Sequence, residues 1–354
     1  MTLELRKVTK RVGANVHIHE TSLTLEEGSF NILLGATLSG KTTLIQLMAG
    51  LERPTTGEIW FRGKNVTGVP VQRRNVSVVY QQFINYPHLS VYENIASPLR
   101  VAGIGAGEID SRVGKVAELL RLQPMLKRRP GELSGGQQQR TAIARSLVKD
   151  CDAIFLDEPL ANLDYKLREE LRDELPKLFA GRRCVVVYAT TEPSEALLFG
   201  GSTATLHQGS VTQFGPTSDI YRRPSDLNSA RVFSDPPINV AEIVKQGDRI
   251  LLGADIVWPT PGRVRNIPDG NYTVGLRPHH ITVTPTRPGL AEIEGSVLVA
   301  ELSGSESVVH FNVNGLTWVS QSQGIHALEV GSKVRFHADL DRIFFFGVDS
   351  RRIA

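Results

Sequence analysis

The sequence predicts an α/β domain built around a phosphate-binding loop, followed by a smaller all-β domain. Three observations predict it. First, Gly35-Ala36-Thr37-Leu38-Ser39-Gly40-Lys41-Thr42-Thr43 sets a glycine, four residues, then Gly-Lys-Thr, the spacing of a phosphate loop. Second, apolar runs that read as buried strands alternate with helical stretches up to about residue 235. Third, beyond Ser234-Asp235-Pro236-Pro237 come short β-type runs separated by Gly and Pro.

Taken in order, residues 3–8 and 16–24 alternate apolar and polar side chains, as half-buried strands do. Glu26-Glu27-Gly28-Ser29 is a turn into the buried strand Phe30–Leu34. After the loop, Thr43 to Gly50 reads as a helix closed by glycine, with Leu44, Ile45, Leu47 and Met48 apolar. A helix start offers unpaired N–H groups and the positive end of its dipole to a phosphate. Lys41 would reach the β/γ-phosphates and the Thr42 hydroxyl would hold Mg²⁺. The competing reading is a glycine-containing turn in an ordinary α/β protein, and the strand and helix on either side speak against it. Pro54–Gly57 is a turn before the strand Glu58–Arg62, and Val76–Tyr80 is a further buried strand leading to Gln81. Residues 90–150 turn helical, Ala153–Leu156 is a strand ending in Asp157-Glu158, and Cys184–Tyr188 is one more buried strand. Helices close this domain near Phe233. The domains are placed at 1–235, with a helical subdomain over about 82–150, and at 236–354. The second domain reads as a small barrel or sandwich with strands at 249–252, 272–276, 281–284, 297–302, 308–313, 317–320, 334–338 and 343–346.

The 354 residues suit two domains, each with its own core. A formal charge of +3 is too small to argue for nucleic acid. The two cysteines, Cys151 and Cys184, read as isolated buried thiols suited to a reducing cytosol. The start has no signal-peptide core, and no apolar run approaches the ~20 residues of a membrane helix. If the protein works at a membrane, other chains do the spanning. His279-His280 has no nearby Cys or carboxylate cluster and reads as a turn. Phe344-Phe345-Phe346 cannot all point inward on one strand, so one aromatic is expected to be exposed, at a dimer contact or under a loop.

The apolar strand ending in Asp157-Glu158 resembles a Walker B element, in which Asp157 contacts the Mg²⁺ shell and Glu158 polarises the attacking water. Between the motifs lies Leu133-Ser134-Gly135-Gly136-Gln137-Gln138-Gln139-Arg140. A helix cap explains Ser134 but not two glycines at a helix start, which cost stability. Bare backbone there lets N–H groups close on a phosphate. With these residues the chain resembles the nucleotide-binding subunit of an ATP-binding cassette (ABC) transporter along essentially its whole length. Leu160-Ala161-Asn162-Leu163-Asp164 is similar to that family's D-loop and Gln81 to its Q-loop, a ligand to Mg²⁺. The resemblance implies that two subunits sandwich ATP head to tail. Ser134, Gly135, Gly136 and Gln137 then serve the partner's site, and closure drives membrane subunits between inward- and outward-facing states.

Asn85-Tyr86-Pro87-His88-Leu89-Ser90-Val91-Tyr92-Glu93-Asn94 resembles the permease-docking stretch of carbohydrate importers of the maltose and glycerol-phosphate type. Gly275-Leu276-Arg277-Pro278-His279-His280 and the late β runs resemble their oligonucleotide-binding-fold-like (TOBE) regulatory domain. That implies a domain that dimerises and senses regulators and binds no nucleic acid. Taken with Tyr80–Tyr86, the chain looks most like the ATPase subunits of glycerol or polyol importers. The partners implied are a second ATPase, two permease subunits and, indirectly, a periplasmic solute-binding protein, at the cytoplasmic face of the inner membrane.

Three positions depart from the family pattern. Thr191 stands where the γ-phosphate-contacting histidine is found; its hydroxyl donates one hydrogen bond but is shorter and never cationic. Leu38 occupies a loop position usually held by glycine. Val12 lies where an aromatic stacks on adenine, a contact worth roughly 1–3 kcal/mol, and His17 is a possible substitute. All three changes would fall in the half-site this chain builds for itself, while the signature is intact. The expectation is a heterodimer with one weakened site; the alternative is a homodimer that tolerates threonine. Two functions follow: an ATPase subunit powering uptake of glycerol, a polyol or a related carbohydrate, or a regulatory subunit that holds ATP and completes a paralogue's site. A soluble ABC ATPase of DNA repair or translation fits neither Asn85–Asn94 nor the β domain.

Overall fold

The computed structural model describes residues 2–82, 84–161, 163–253 and 255–354, so Phe83 and Asn162 of the sequence motifs lie outside the described residues. The chain divides into two compact units, Met1–Ile220 and Tyr221–Ala354.

The first unit opens with β1 (Thr2–Val12), β2 (Asn15–Glu26) and β3 (Phe30–Leu34), then α1 (Lys41–Ala49), β4 (Thr56–Phe61), β5 (Lys64–Asn65) and β6 (Val76–Val79). Three helices follow, α2 (Val91–Val101), α3 (Ala106–Leu119) and α4 (Gly135–Leu147). It continues through β7 (Ala153–Asp157), α5 (Tyr165–Phe179), β8 (Val185–Thr190), α6 (Pro193–Phe199), β9 (Ser202–His207) and β10 (Ser210–Pro216). The outer sheet has the order β2-β1-β4-β5, and the inner one β10-β9-β3-β8-β7-β6. All inner pairings are parallel except the β9–β10 hairpin. A parallel sheet is covered on both faces, which is why every residue of β3, β7 and β8 is buried. The strands sit in one core with α1, whose Leu44, Ile45, Leu47 and Met48 point into it. That helix begins at Lys41 rather than at Thr43, and Gly50 closes it in the left-handed conformation. The β9–β10 hairpin occupies a stretch expected to be helical.

After α7 (Thr217–Arg222) and α8 (Leu227–Val232) the second unit holds ten strands among the described residues. These are β11 (Asn239–Gln246), β12 (Arg249–Leu252), β13 (Ile256–Pro259), β14 (Gly270–Leu276) and β15 (Ile281–Thr282), then β16 (Ala291–Leu302), β17 (Glu306–Val313), β18 (Leu316–Gln323), β19 (Lys333–Ala338) and β20 (Phe344–Phe346). They form two antiparallel sheets, β13-β12-β11-β14-β20 and β15-β19-β16-β17-β18. The sheets share a core that includes Trp258, Trp318 and the stacked pair Phe311 and Phe336. The Asn239 side chain bonds both the N–H and the carbonyl of Val319, tying one sheet to the other. Sequence reading missed β11 and β13. It also expected one exposed aromatic among Phe344–Phe346, and all three are buried. Phe345 enters the main core, and Phe344 and Phe346 pack on Leu227, Ala230 and Ile238, so both faces of this short strand are covered. Arg277 braces the same corner, donating to the Tyr221 carbonyl at 2.6 Å with its guanidinium over the Tyr221 ring.

Candidate functional site

Strands β3, β8 and β7 are consecutive in the inner sheet and end together: Leu34 pairs with Thr190, and Asp157 with Ala189. In parallel α/β sheets, ligands bind beyond the carboxyl ends of the strands, and Gly35, Glu158 and Thr191 all emerge at this edge. Gly35 N–H donates to the Thr190 carbonyl at 3.3 Å, and Glu158 N–H to the Ala189 carbonyl at 3.0 Å, which lock the loops to one another. A Cβ on Gly35 would lie 2.5 Å from Ser39 Oγ and 2.6 Å from the Leu206 carbonyl, so only glycine fits.

The loop Gly35–Gly40 folds over itself through a Ser39 N–H bond to the Ala36 carbonyl at 3.1 Å. No side chain caps α1, which leaves its first-turn N–H groups directed at the loop. The buried Lys41 ammonium donates to the Gly35 and Ala36 carbonyls at 2.7 and 2.9 Å and lies 3.3 Å from Glu158 Oε1. Gln81 Nε2 donates to the other Glu158 oxygen at 3.4 Å. Asp157 lies beneath, hydrogen-bonded by Thr42; burial pushes its carboxyl above the usual range, the neighbouring Glu158 adds to this, and Thr42 and Lys41 oppose it. Asp157 Oδ1 is buried with no partner among the described residues, and so is Ser39 Oγ. A buried carboxylate oxygen without a donor is suited to a cation.

Above these residues opens a cleft of about 570 Å³ lined by Thr37, Leu38, Gly40, Lys41, Thr42, Thr43, Gln81 and Glu158, and on its other side by Asn15, Val16, His17, Gln208 and Gly209. Leu38 is 94% exposed at φ 66, a left-handed conformation that explains why glycine suits this position. Val12 is half exposed at the end of β1 and does not line the cleft; His17 does. Thr191 is exposed just beyond β8 and is also outside the cleft lining. Sequence reading missed Gln208-Gly209, the tight turn of the β9–β10 hairpin, with φ 46 and 76. Gly209 donates to the Ser39 carbonyl at 2.9 Å, and a Cβ there would meet the His17 carbonyl at 2.4 Å. The local hint was Gly209 between two β-type runs, since glycine supplies the positive φ of a tight turn. It missed Glu195 as well, whose buried carboxylate accepts from Tyr188, Thr190 Oγ1 and Arg172 and so fixes the turn that carries Thr191.

Ser134, Gly135, Gly136 and Gln137 start α4 away from this cleft. Ser134 Oγ accepts from Gln137 N–H, and the Gln137 side chain accepts from Ser134 N–H at 3.0 Å, a reciprocal cap. Gln139 anchors the same helix to the Pro159 carbonyl at 2.8 Å. In the Asn85–Asn94 stretch, Asn94 bonds Tyr86 N–H and the carbonyls of Tyr86, Leu89 and Ser90, which holds Asn85–Ser90 in place. Tyr86 and Ile84 stay exposed there. Among the described residues no group of three or more His, Cys, Asp or Glu could hold a metal, and no helix is long and apolar enough to cross a membrane.

Residues 18–161 match the family model described as ABC transporter, and residues 274–346 match that of the TOBE domain. The chain is 32% identical over 351 residues to the sn-glycerol-3-phosphate import ATP-binding protein UgpC of Yersinia pestis bv. Antiqua (strain Antiqua), covering 98% of each. It is 34% identical over 360 residues to the trehalose/maltose import ATP-binding protein MalK of Thermococcus litoralis, covering 97% of each. Among solved structures, the dimeric post-hydrolysis state of the ATP-binding cassette MJ0796 bound to ADP and Pi aligns with a TM-score of 0.56 at 28% identity, over 61% of this chain and 98% of that one. This chain belongs to the ABC transporter family, among the ATP-binding proteins of its importers, with a nucleotide-binding cassette followed by a TOBE domain.

Proposed function

We propose that this chain hydrolyses ATP to power import of glycerol phosphate, a polyol or a related carbohydrate, as a peripheral subunit on the cytoplasmic face of a membrane. The observation that carries the reading is the convergence of Lys41 and Gln81 on the two carboxylate oxygens of Glu158, at 3.3 and 3.4 Å, beyond the carboxyl ends of β3, β6 and β7. ATP phosphates lie on the loop N–H groups from Gly35 to Thr43, and Lys41 exchanges its loop carbonyls for β/γ-phosphate oxygens. Thr42, Asp157 and Gln81 would hold Mg²⁺, and the partnerless Asp157 oxygen supports that assignment. When bound, Mg²⁺ neutralises charge on the β/γ oxygens. Glu158 takes the proton of the attacking water as the new O–P bond forms and the β–γ bridge breaks, releasing ADP and phosphate. Ser134–Gln137 of each chain completes the site of a second cassette, and Asn85–Asn94 docks the permease. Relatives that import sn-glycerol-3-phosphate and trehalose/maltose support the solute class.

The test is Glu158→Gln in the complex with its membrane subunits. Nucleotide binding is expected to persist while phosphate release falls on the order of 10²–10⁴-fold, the usual worth of a general base. Unchanged release would overturn the role of Glu158.

A second reading is a subunit that holds ATP with little turnover and serves a paralogue's site. The threonine at 191 and the left-handed Leu38 favour it. Intact-mass analysis of the transporter from its native membrane separates the readings. Two ATPase masses in equal amounts support an asymmetric pair. One mass present twice means that Thr191 serves in both sites.

A further inference from the structure

Cys151 and Cys184, read from the sequence as isolated, are neighbours: their sulfurs lie 3.9 Å apart. The reason is the sheet register. Cys151 precedes β7 and Cys184 precedes β8; the strands pair Ala153 with Val185, and Val185 N–H bonds the Asp152 carbonyl at 3.0 Å. The thiols therefore sit at the opposite end of both strands from Asp157 and Thr190, about 20 Å away at roughly 3.3 Å per residue. They take no part in the site described above.

Both cysteines line a cavity of about 380 Å³. Its charged lining is Arg62, Lys149, Arg182 and Arg183 against Asp150 and Asp152. The two acids are already paired, Asp152 with Arg62 at 2.6 Å and Asp150 with Arg112 at 2.7 Å, which leaves the cavity cationic. Cys151 is partly exposed, whereas Cys184 is only 4% exposed. The hydrogen bond between the two thiols pushes Cys184 down, with burial opposing and Arg182 assisting, and together with burial it pushes Cys151 up. Accessibility and not thiolate population therefore makes Cys151 the first to react.

We propose that Cys151 and Cys184 form an oxidisable dithiol that receives an anionic low-molecular-weight disulfide in this cavity and closes into an intramolecular disulfide. Cys151, the accessible thiol, loses its proton to solvent and attacks one sulfur of the incoming disulfide. That S–S bond breaks, one thiolate leaves and is protonated, and a mixed disulfide remains on Cys151. Cys184 then gives up its proton and attacks Cys151 Sγ, expelling the second thiol. Two protein thiols are oxidised by two electrons, and one disulfide is reduced to two thiols. The 3.9 Å separation closes to the ~2.05 Å of an S–S bond by side-chain rotation.

The experiment treats the folded full-length protein with oxidised glutathione, then alkylates it under denaturing conditions and weighs it. The expected product has lost two hydrogens, retains no glutathione, resists alkylation at both positions and yields one Cys151–Cys184 cross-linked peptide. Cys184→Ser, or Cys184→Ala should serine disturb the fold, keeps one glutathione on Cys151. Cys151→Ser stays reduced over the same time because Cys184 is buried. Cystamine, a cationic disulfide, reacts several-fold more slowly than oxidised glutathione. Wild-type thiols that remain fully alkylatable, glutathione retained on the wild type, uptake by Cys151→Ser at the wild-type rate, or cystamine reacting as fast as glutathione would each overturn the proposal.

Discussion

Thr191 and Glu195 show how little side chain separates a structural from a chemical role at one strand end. Glu195 is buried and fully engaged, receiving Tyr188 and Thr190 hydroxyls at 2.9 and 2.6 Å, so the turn after β8 is held firmly. Thr191, one residue beyond that anchor, is exposed and offers only a short hydroxyl. An imidazole at 191 would extend a second donor toward the nucleotide from an already ordered turn. Thr191→His is therefore expected to raise phosphate release roughly tenfold, the value of one hydrogen bond to a charged group. Steady-state hydrolysis by the assembled transporter measures this, and no change would mean that the turn's position limits the site. Two neighbours carry backbone strain: Leu38 and Glu158 hold φ at 66 and 48, where a non-glycine residue costs about 1–2 kcal/mol. For Glu158 that conformation comes with both carboxylate oxygens directed at Lys41 and Gln81, a pattern found where strain serves a site.

At the scale of elements, the start of α4 is held by a single hydroxyl. Ser134 supplies its cap, and Ser134→Ala is expected to cost about 1 kcal/mol by denaturant titration of the isolated chain. If Ser134 also meets the nucleotide of a second cassette, turnover of the assembled transporter drops by more than that stability loss explains; equal effects would reduce Ser134 to a cap. The sequence made β3, β7 and β8 legible because every residue is buried and most are apolar, and α1 because Leu44, Ile45, Leu47 and Met48 give it an apolar face. It hid β11, whose buried face reads Asn239, Ala241, Ile243 and Lys245. Two of those four are polar, rescued by Val319 backbone and by Asp269 respectively, so the period of two vanishes from the sequence. The three buried phenylalanines of β20 were misread for a related reason, since alternation cannot reveal that Leu227 and Ala230 of α8 cover the outer face. The phosphate loop, Walker B pair and signature were readable as local spacing. The cysteine pair, and the packing of the Gln208-Gly209 turn against Ser39 and His17, bring together residues far apart in the chain, for which no local pattern exists.

For the molecule as a whole, each unit has its own core, and the second carries a built-in pH dependence. Burial pushes His280 from 6.5 down to about 4, with His279 and Arg277 adding to this, Asp339 opposing it and Arg342 adding a little. The folded chain thus keeps this imidazole neutral where the unfolded chain would protonate it. That contribution is fully present above pH 6.5 and is lost as pH falls from 6.5 toward 4. Denaturation midpoints of the second unit are expected to fall across that window, and His280→Gln to flatten the decline; an identical slope in the variant would assign it to other groups. The order β3-β8-β7 has a further consequence during synthesis on the ribosome. Leu34 pairs with Thr190, so the strand that carries the phosphate loop emerges long before its neighbour exists. At about 5–20 residues per second, the five residues of β3, four of them apolar, wait roughly 10–30 s for that partner. Nucleotide cannot act as an early folding ligand for this chain, and the nascent segment depends meanwhile on β1, β2 and whatever chaperones shield it.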